Sequence, residues 1–246
     1  MIRDIISRAD SFSPKMIPNL TLWLDAADTS TITLNAGNVS QWRDKSGNGR
    51  HASQGTASAQ PLYQPSGLNG RPTIRSDGGD VLEFPWDGTI NDMSYYIVYR
   101  RAIEMGADPT SSGPIGWTSS GTSVRGIGIQ VNESAVQVHR IVIIFGDYLN
   151  IFNNSKFAAG TPMLVRVAKT VQGTSTRTVE AKAFGHFSGS AIDNRWSDQN
   201  YENCLFRNLA NGKYSISEFM QFSRKLSSSE EASIAAYCNR KYGTEL

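Results

Sequence analysis

Short apolar runs, each about the length of a β-strand, recur along the 246-residue chain with turn residues between them. In the run 20–24 the even positions are leucines, and Trp23 lies on the opposite face, which is the alternation of a half-buried strand. The pattern predicts further strands at 39–43, 81–84, 95–100, 125–131, 135–145 (with a break), 163–169, 178–184 and 216–222. Strands that follow one another at such short intervals predict an all-β antiparallel sandwich.

One segment near the end of the chain has helical periodicity instead. Residues 227–230 read Ser-Ser-Ser-Glu, which fits a capping box. Ile234, Cys238 and Tyr242 follow at intervals of four and form one apolar stripe, and Gly243 can supply the left-handed residue that ends a helix. We therefore predict one C-terminal α-helix that packs against the rest of the domain and carries no chemistry.

The start of the chain differs from the rest. Residues 1–10 mix charged and apolar side chains and lack the unbroken apolar core of a Sec signal peptide, so we expect synthesis in a cytoplasm. Pro14 and Pro18 prevent a helix from continuing there. We predict an N-terminal arm at residues 1–17 and a single domain at residues 18–246.

Composition excludes several classes of protein. With 24 basic and 22 acidic side chains, the chain lacks the basic excess of a nucleic-acid-binding protein. The longest apolar run, 141–145, is far too short to span a membrane. Cys204 and Cys238 fall in a predicted loop and a predicted helix, so we expect buried thiols rather than a disulfide. We expect neither nucleic acid nor membrane as a partner.

Two groups of segments carry a resemblance to a known fold family. They are Leu22–Ile32 (LWLDAADTSTI), Val39–Gly49 (VSQWRDKSGNG), Asn69–Arg75 (NGRPTIR) and Ile216–Leu226, which runs into the helix ending Lys241-Tyr242-Gly243. These segments resemble the laminin-G-like jelly rolls of the concanavalin A-like lectin/glucanase superfamily, in the form common in phage virion proteins and bacterial surface proteins. The match covers roughly residues 18–84 and 214–243. It implies a jelly roll in which the two chain ends are neighbours, and it leaves function open because this fold hosts lectins, glycanases and architectural modules.

The residues that carry the resemblance are expected to be structural. We predict that the two tryptophans among them are core or corner residues and that the four polar residues cap turns by accepting backbone N–H bonds: Trp23, Trp42, Asp25, Asp28, Asp44 and Ser46.

Catalytic patterns are missing from the sequence. A glucanase of this fold needs two carboxylates on one strand face, yet Glu83, Glu180 and Glu218 have no acidic residue two positions away. There is no G-x-S-x-G motif, the histidines at 51, 139 and 186 have no local partner, and no zinc spacing occurs. The segment 47–52 fits G-x-G-x-x-A only nominally, because the residues after it cannot open a helix. We predict that the protein is not an enzyme.

An acidic loop is the candidate metal site. Asp77 and Asp80, with Glu83 beyond them, are spaced three residues apart around two glycines. This spacing suits Ca²⁺ better than glycoside cleavage, and the alternative is a glycine turn with solvated acids. No other cofactor is predicted.

Sugar binding is the candidate function. Aromatic platforms contact the apolar face of a pyranose, and Trp86, Trp117 and Trp196 fall outside the clear strand cores. Trp196 lies in a long loop-like stretch, 185–212, that we expect to be functional or packed against a neighbour. The alternative for each tryptophan is a lid on the core.

These observations predict a non-enzymatic protein on a virion surface, as a phage tail, fibre or capsid decoration component. The arm 1–17 would bind other virion proteins, host-surface glycan is the expected ligand, and homo-oligomers are expected because appendages follow the symmetry of their mount. The alternatives are a glycan hydrolase with an unrecognised site and a bacterial adhesion module.

Overall fold

The computed structural model describes residues 12–85, 92–101, 112–118, 128–132, 140–145, 149–152, 160–172, 176–185, 187–193, 202–205 and 213–243. Across these ranges lie seventeen strands, three short 3-10 helices and one α-helix. The strands are β1 (Leu20–Asp25), β2 (Ile32–Asn35), β3 (Asn38–Trp42), β4 (Ala52–Ser53), β5 (Leu62–Leu68), β6 (Arg71–Arg75), β7 (Leu82–Phe84), β8 (Met93–Arg101), β9 (Ser112–Thr118), β10 (Gly128–Asn132), β11 (Arg140–Phe145), β12 (Leu149–Phe152), β13 (Met163–Gln172), β14 (Thr176–Ala183), β15 (Phe187–Asp193), β16 (Glu202–Leu205) and β17 (Tyr214–Phe222). The α-helix, α1, spans Ser228–Tyr242.

The strands form two antiparallel sheets. The first, called here the helix-side sheet, has the order β1-β17-β8-β13-β14-β15. The second, called the outer sheet, has the order β2-β3-β4-β7-β16-β9-β10-β11-β12. Strand β6 pairs with both β5 and β17, and β5 pairs with β3, so the two sheets are joined at one side. The predicted all-β sandwich with one C-terminal helix is confirmed.

The central strands of the helix-side sheet, β8, β13 and β17, are buried on both faces over most of their length. Leu22 and Leu24 of β1 pack between the two sheets, whereas Trp23 packs on the other face among the residues of α1. All nine residues of β17 are buried, because the sheet is covered by α1 on one face and by the outer sheet on the other. The molecule therefore has three layers, which are α1, the helix-side sheet and the outer sheet. The predicted placement of Trp23 on the face opposite the leucines is confirmed, and Trp42 is a fully buried core residue as predicted.

A bulge in β17 changes which side chains meet α1. The pairing of β17 with β8 shifts register between Ile216 and Glu218, so that Ser217 is the additional residue. Ile216 and Phe219 thus both pack between the sheets although they are three positions apart. The shift places Glu218 on the α1 face, in the same row as Met220 and Phe222.

Helix α1 begins and ends as the sequence predicts. The Ser227 hydroxyl accepts the Glu230 N–H, the Glu230 carboxylate accepts the Ser227 N–H, and Gly243 ends the helix at φ 61°. The predicted stripe of Ile234, Cys238 and Tyr242 is buried. Burial of an aliphatic side chain such as Ile234 contributes about 1.5–3 kcal/mol, so α1 is held by the sheet rather than by its own propensity.

The prediction of a long loop at 185–212 is wrong. Two strands, β15 and β16, lie inside it, and Cys204, predicted in a loop, is part of β16. The sequence of β15, Phe-Ser-Gly-Ser-Ala-Ile-Asp, is too rich in small polar residues to show alternation, and pairing with β14 forms the strand regardless.

The described part of the N-terminal arm lies against the domain. The Phe12 ring is 5.9 Å from the Tyr237 ring of α1, and Ile17 is buried in the cluster beneath the helix. Residues 1–11 are outside the described residues, and the anchoring role of 1–17 stays a prediction. Among the described helices, none combines the length and apolar character that a membrane span requires.

Candidate functional site

The three predicted sugar platforms are not brought together by described contacts. Trp86 and Trp196 lie outside the described residues. Trp117 lies in β9, where it pairs with Asn203 of β16, so its backbone is in a strand rather than in a loop. Their role in sugar binding stays a prediction.

The predicted Ca²⁺ residues do meet, in the loop between β6 and β7. The Asp80 carboxylate accepts the Asp77 backbone N–H at 2.9 Å. Asp80 is buried and Asp77 is exposed. Within the described residues, no third His, Cys, Asp or Glu side chain joins them in a cluster that could hold a metal. The carboxylates of Asp77 and Asp80 would need backbone oxygens or water to complete a Ca²⁺ site.

Burial makes the Asp80 carboxyl an unusual acid. Burial, together with the nearby charge of Asp77, raises its pKa to about 6 against the opposing hydrogen bond from the Asp77 N–H. A group with this pKa holds or loses its proton close to neutral pH, which is a property shared by ligand sites and general acids.

A second acid pair lies across β1 and β17, beneath α1. Asp25 and Glu218 are direct partners in the register of these strands, and both face the helix. Their residues are 4% and 0% exposed. Two carboxylates at such a position are strongly unfavourable unless cations and hydrogen bonds compensate them.

Glu218 is compensated by four donors. Its Oε1 accepts the Trp23 Nε1–H at 2.6 Å and the Tyr237 hydroxyl at 2.9 Å. Its Oε2 accepts the Tyr242 hydroxyl at 2.6 Å and the Lys241 ammonium at 3.0 Å. Three of these donors come from α1, so the helix and Glu218 hold each other in place.

Two lysines neutralise the pair. Lys241 Nζ also donates to Asp25 Oδ1 at 2.7 Å and so bridges the two acids. Lys45 Nζ donates to Asp25 Oδ2 at 2.9 Å and lies 2.9 Å from the Asp28 carboxylate. We call Asp25, Glu218, Lys241 and Lys45 the buried ion cluster. Its two carboxylates are contacted by two ammonium groups, one of which, Lys45, is shared with Asp28.

The pKa shifts follow from this environment. Burial raises the pKa of Glu218, and the Asp25 charge adds to that shift while Lys241 opposes it. Burial, followed by the charge of Glu218, raises the pKa of both Tyr237 and Tyr242, which keeps their hydroxyls protonated as donors. Burial lowers the pKa of Lys45, but hydrogen bonds to Asp25 and Asp28 outweigh it, so the net shift is upward.

The loop after β3 closes the edge of β1. Asp44 accepts the backbone N–H groups of Trp23 and Ser46, at 3.0 and 2.8 Å. Asn48 donates to the Leu20 carbonyl at 3.0 Å. These bonds occupy an edge that would otherwise offer its backbone to another chain.

The predicted turn-capping roles are confirmed for Asp25, Asp44 and Ser46, which accept backbone N–H groups. At Asp28 the hydrogen bond from the Ser30 hydroxyl, and then that from Lys45, lowers the pKa. His51, for which the sequence shows no partner, accepts the Asp44 N–H through Nδ1.

Sequence reasoning did not find the buried ion cluster. Acids two positions apart on one strand are visible in a sequence, whereas Asp25 and Glu218 come from opposite ends of the chain and meet across a strand pair. The signal available was the resemblance itself, which implies that the segments around Leu22 and Lys241 are neighbours.

Comparison with known proteins identifies the fold. No protein-family model and no curated protein matches the chain. Among solved structures it is similar to the receptor-binding domain of botulinum neurotoxin type G, with TM-score 0.57, 13% identity, and coverage of 88% of this chain and 51% of that one. It is similar to Trypanosoma rangeli sialidase with TM-score 0.57, 12% identity, and coverage of 99% and 39%. A botulinum neurotoxin DC binding domain in complex with SialylT gives TM-score 0.54, 10% identity, and coverage of 89% and 51%.

The chain thus spans about half the length of the toxin domains, and less of the sialidase. Likeness at this level of identity shows the fold alone, which is an antiparallel jelly-roll β-sandwich.

Proposed function

We propose that this protein is a non-enzymatic, glycan-binding sandwich on the surface of a virus particle, as a phage tail, fibre or capsid decoration component. The fold is similar to that of the botulinum neurotoxin type G receptor-binding domain, of a neurotoxin DC binding domain in complex with SialylT, and of a sialidase. The sequence resemblance to phage virion modules supports the proposed location.

The buried ion cluster is the observation that carries the non-enzymatic part. Hydrolysis of a glycosidic bond uses two carboxyl groups that flank the sugar, about 5 Å apart in retaining enzymes. The fold brings Asp25 and Glu218 this close, since both contact the same Lys241 nitrogen. Glu218 is fully buried and bonded by four donors, so a sugar cannot reach it. This acid pair therefore stabilises the sandwich and takes no part in cleavage.

Binding to glycan is tested with purified protein on intact candidate host cells and their extracted polysaccharide. We expect saturable binding to cells, and we expect soluble polysaccharide to compete with the cells for the protein. Absence of binding to both would contradict the proposal and leave a purely architectural role on the particle.

Calcium dependence is tested in the same assay. If the loop holds Ca²⁺, chelator weakens binding and Asp80→Asn weakens it in the presence of calcium, because the variant loses a ligand charge. Asp28→Asn is the matched control, since Asp28 lies in a turn and contacts Lys45 and Ser30. Equal binding with calcium and with chelator would assign Asp77 and Asp80 to the turn alone.

Attachment to the particle is tested by truncation. Deleting residues 1–11 keeps the Phe12 contact with Tyr237 and the buried Ile17, so the domain stays folded. We expect the truncated protein to be missing from purified particles while remaining soluble in the lysate. Normal incorporation would show that residues 1–11 of the arm are not the anchor.

A second candidate, glycan hydrolysis, is favoured by one observation. The Asp80 pKa of about 6 is in the range of a general acid, and Asp77 is a neighbouring carboxylate. Release of sugar from bound polysaccharide, lost in Asp80→Asn, would support this candidate over the first.

A further inference from the structure

One edge of the outer sheet is open. Strand β2 lies at the end of that sheet and pairs, among the described strands, with β3 alone. Thr33, Leu34 and Asn35 of β2 are all exposed. An unpaired strand edge offers backbone N–H and C=O groups to another chain. At β1, side chains of Asp44 and Asn48 bond to such groups, whereas β2 keeps its edge open to solvent.

The backbone of Leu34 faces the open side. The Thr31 carbonyl accepts the Arg43 N–H at 2.8 Å, and the Thr33 carbonyl accepts the Ser40 hydroxyl at 3.1 Å, so both carbonyls point towards β3. In a strand the N–H and C=O groups of successive residues point to alternate sides. The N–H and C=O of Leu34 therefore point away from β3.

The side chain of Leu34 is an apolar group at the rim of the core. Its direct partner in β3 is Val39, which is buried between the sheets, so Leu34 lies on the core side of the outer sheet. Leu34 is nevertheless 48% exposed. An apolar side chain in this position gains free energy when another apolar group covers it.

The sequence at this edge is uncharged. Residues 29–42, which include all of β2 and β3, contain no Asp, Glu, Lys, Arg or His and no proline. Charged side chains and prolines are the usual means by which an edge strand is protected against pairing. A partner recognised by its charge has nothing to bind here, whereas an uncharged strand meets no like charge when it pairs with a copy of itself.

We propose that β2 pairs with β2 of a second copy of this protein, antiparallel and around a twofold axis at Leu34. The proposed function names no contact between copies, and this pairing does not depend on glycan binding. A strand that pairs with its own copy places one residue opposite itself. With Leu34 in that place, the two outward-facing backbones exchange both N–H···O bonds and the two leucines cover each other. Thr33 cannot take this place, because its backbone already faces β3.

The polar residues on the other face fit the same register. Thr33 of each copy lies opposite Asn35 of the other. The Asn35 Nδ2 donates to Gln60 Oε1 at 3.1 Å, which leaves Asn35 Oδ1 free to accept the Thr33 hydroxyl of the second copy. The contact is small, so we expect weak association in solution that a high local concentration on a particle strengthens.

Disulfide trapping tests the register. Leu34→Cys places the two cysteines on residues whose Cα atoms are about 5.5 Å apart, within disulfide reach, so we expect a covalent dimer under mild oxidation. Thr33→Cys and Asn35→Cys are the matched controls, because both positions are exposed but each lies about 7–8 Å from its own copy. We expect each control to crosslink at least about tenfold more slowly alone, and a mixture of the two to form the mixed dimer.

Wild type gives the background of this experiment, and its Cys238 is buried. The crosslinked peptides are identified by mass spectrometry. Equal rates of crosslinking in the three variants would show random collision and overturn the proposal.

A charge on the axis tests the same contact without oxidation. Leu34→Glu sets two carboxylates opposite each other, and we expect self-association of the full-length protein to weaken at least about tenfold. Sedimentation equilibrium over a range of concentrations measures this change. Mixing Leu34→Glu with Leu34→Lys should restore association, because unlike charges then face each other. Leu62→Glu is the control, since Leu62 is 44% exposed on β5 and lies outside the proposed contact.

Thermal unfolding checks that these variants are folded, and disulfide trapping decides the matter if Leu34→Glu is not. Wild type that stays monomeric, together with no trapping of Leu34→Cys, overturns the proposal. Association that Leu34→Glu leaves unchanged, or that Leu62→Glu weakens as much, overturns it and assigns the contact to another surface. None of these results bears on glycan binding, which is measured separately on cells and polysaccharide.

Discussion

Two acid pairs in this molecule have opposite surroundings. Asp25 and Glu218 are buried beneath α1, where two lysines and three ring donors engage them. Asp77 and Asp80 lie in the loop between β6 and β7, where the hydrogen bond to Asp80 comes from the Asp77 backbone. The first pair is balanced inside the protein, whereas the second keeps an acid whose pKa is raised to about 6.

This difference distinguishes an acid pair with a structural role from an acid pair that can bind a ligand. A balanced buried pair has no capacity left for a ligand and serves to hold strands and helix together. An unbalanced acid is costly to the fold and gains by taking up a proton or a cation.

The largest effect is expected from removing the bridging cation of the buried ion cluster. Lys241→Met leaves Asp25 and Glu218 facing each other without the ammonium that joins them. We expect the free energy of unfolding to fall by about 3–5 kcal/mol, measured by chemical denaturation. Adding Glu218→Gln to this variant should restore part of the loss, because one of the two charges is removed.

Lys225→Met is the matched control for that measurement. Its side chain is 40% exposed, against 17% for Lys241, and it also pairs with a glutamate. We expect a change within about 1 kcal/mol. Equal losses in the two variants would mean that the cluster is no more than a surface ion pair.

Removing a charge from the Asp77–Asp80 pair should change stability in the opposite direction, by raising the free energy of unfolding. Asp80 keeps its proton up to a pH of about 6 when folded, but only to its ordinary value of 3.8 when unfolded. Between these values the folded state binds more protons, so this group makes stability fall as pH rises. Asp80→Asn should therefore stabilise the protein at pH 7 by about 1–2 kcal/mol, a discounted figure because water screens a loop at the surface.

Denaturation curves of wild type and Asp80→Asn across this pH range check the sign. The two should converge as the pH falls well below 3.8, where Asp80 is protonated in both the folded and the unfolded state. Asp77→Asn is the control, since Asp77 is exposed and should gain less. A variant that is less stable than wild type at pH 7 would show that the Asp80 charge is already compensated.

The smallest effect is expected at the start of the helix that covers the buried ion cluster. Ser227→Ala removes the acceptor for the Glu230 N–H and should cost about 1 kcal/mol of stability. Ser233→Ala, in the middle of the same helix, should be neutral or slightly stabilising because alanine favours helix. Thermal unfolding measures both, and equal effects would argue against the cap.

The parts of the fold that local pattern determines were predictable. The alternation around Trp23 and the capping box at Ser227 depend only on residues close together in the sequence, and both predictions are confirmed. Strand β5 contains Pro65 and Gly67 and was not predicted, because only its pairing with β6 makes it a strand.

The site is less predictable because it depends on register between distant segments. Glu218 faces α1 only because a bulge at Ser217 changes the alternation of β17. Asp25 and Glu218 become neighbours only through the pairing of β1 with β17. Neither relation can be recognised from the spacing of residues along the chain.

The most direct test of the central claim, binding without cleavage, is the chain length of a bound polysaccharide. Polysaccharide from cells that bind the protein is incubated with it at length and then sized by gel filtration, with Asp80→Asn in parallel. We expect a complex with wild type and an unchanged length distribution in both samples. Shorter chains with wild type but not with Asp80→Asn would contradict it and make the Asp77–Asp80 loop a hydrolytic site.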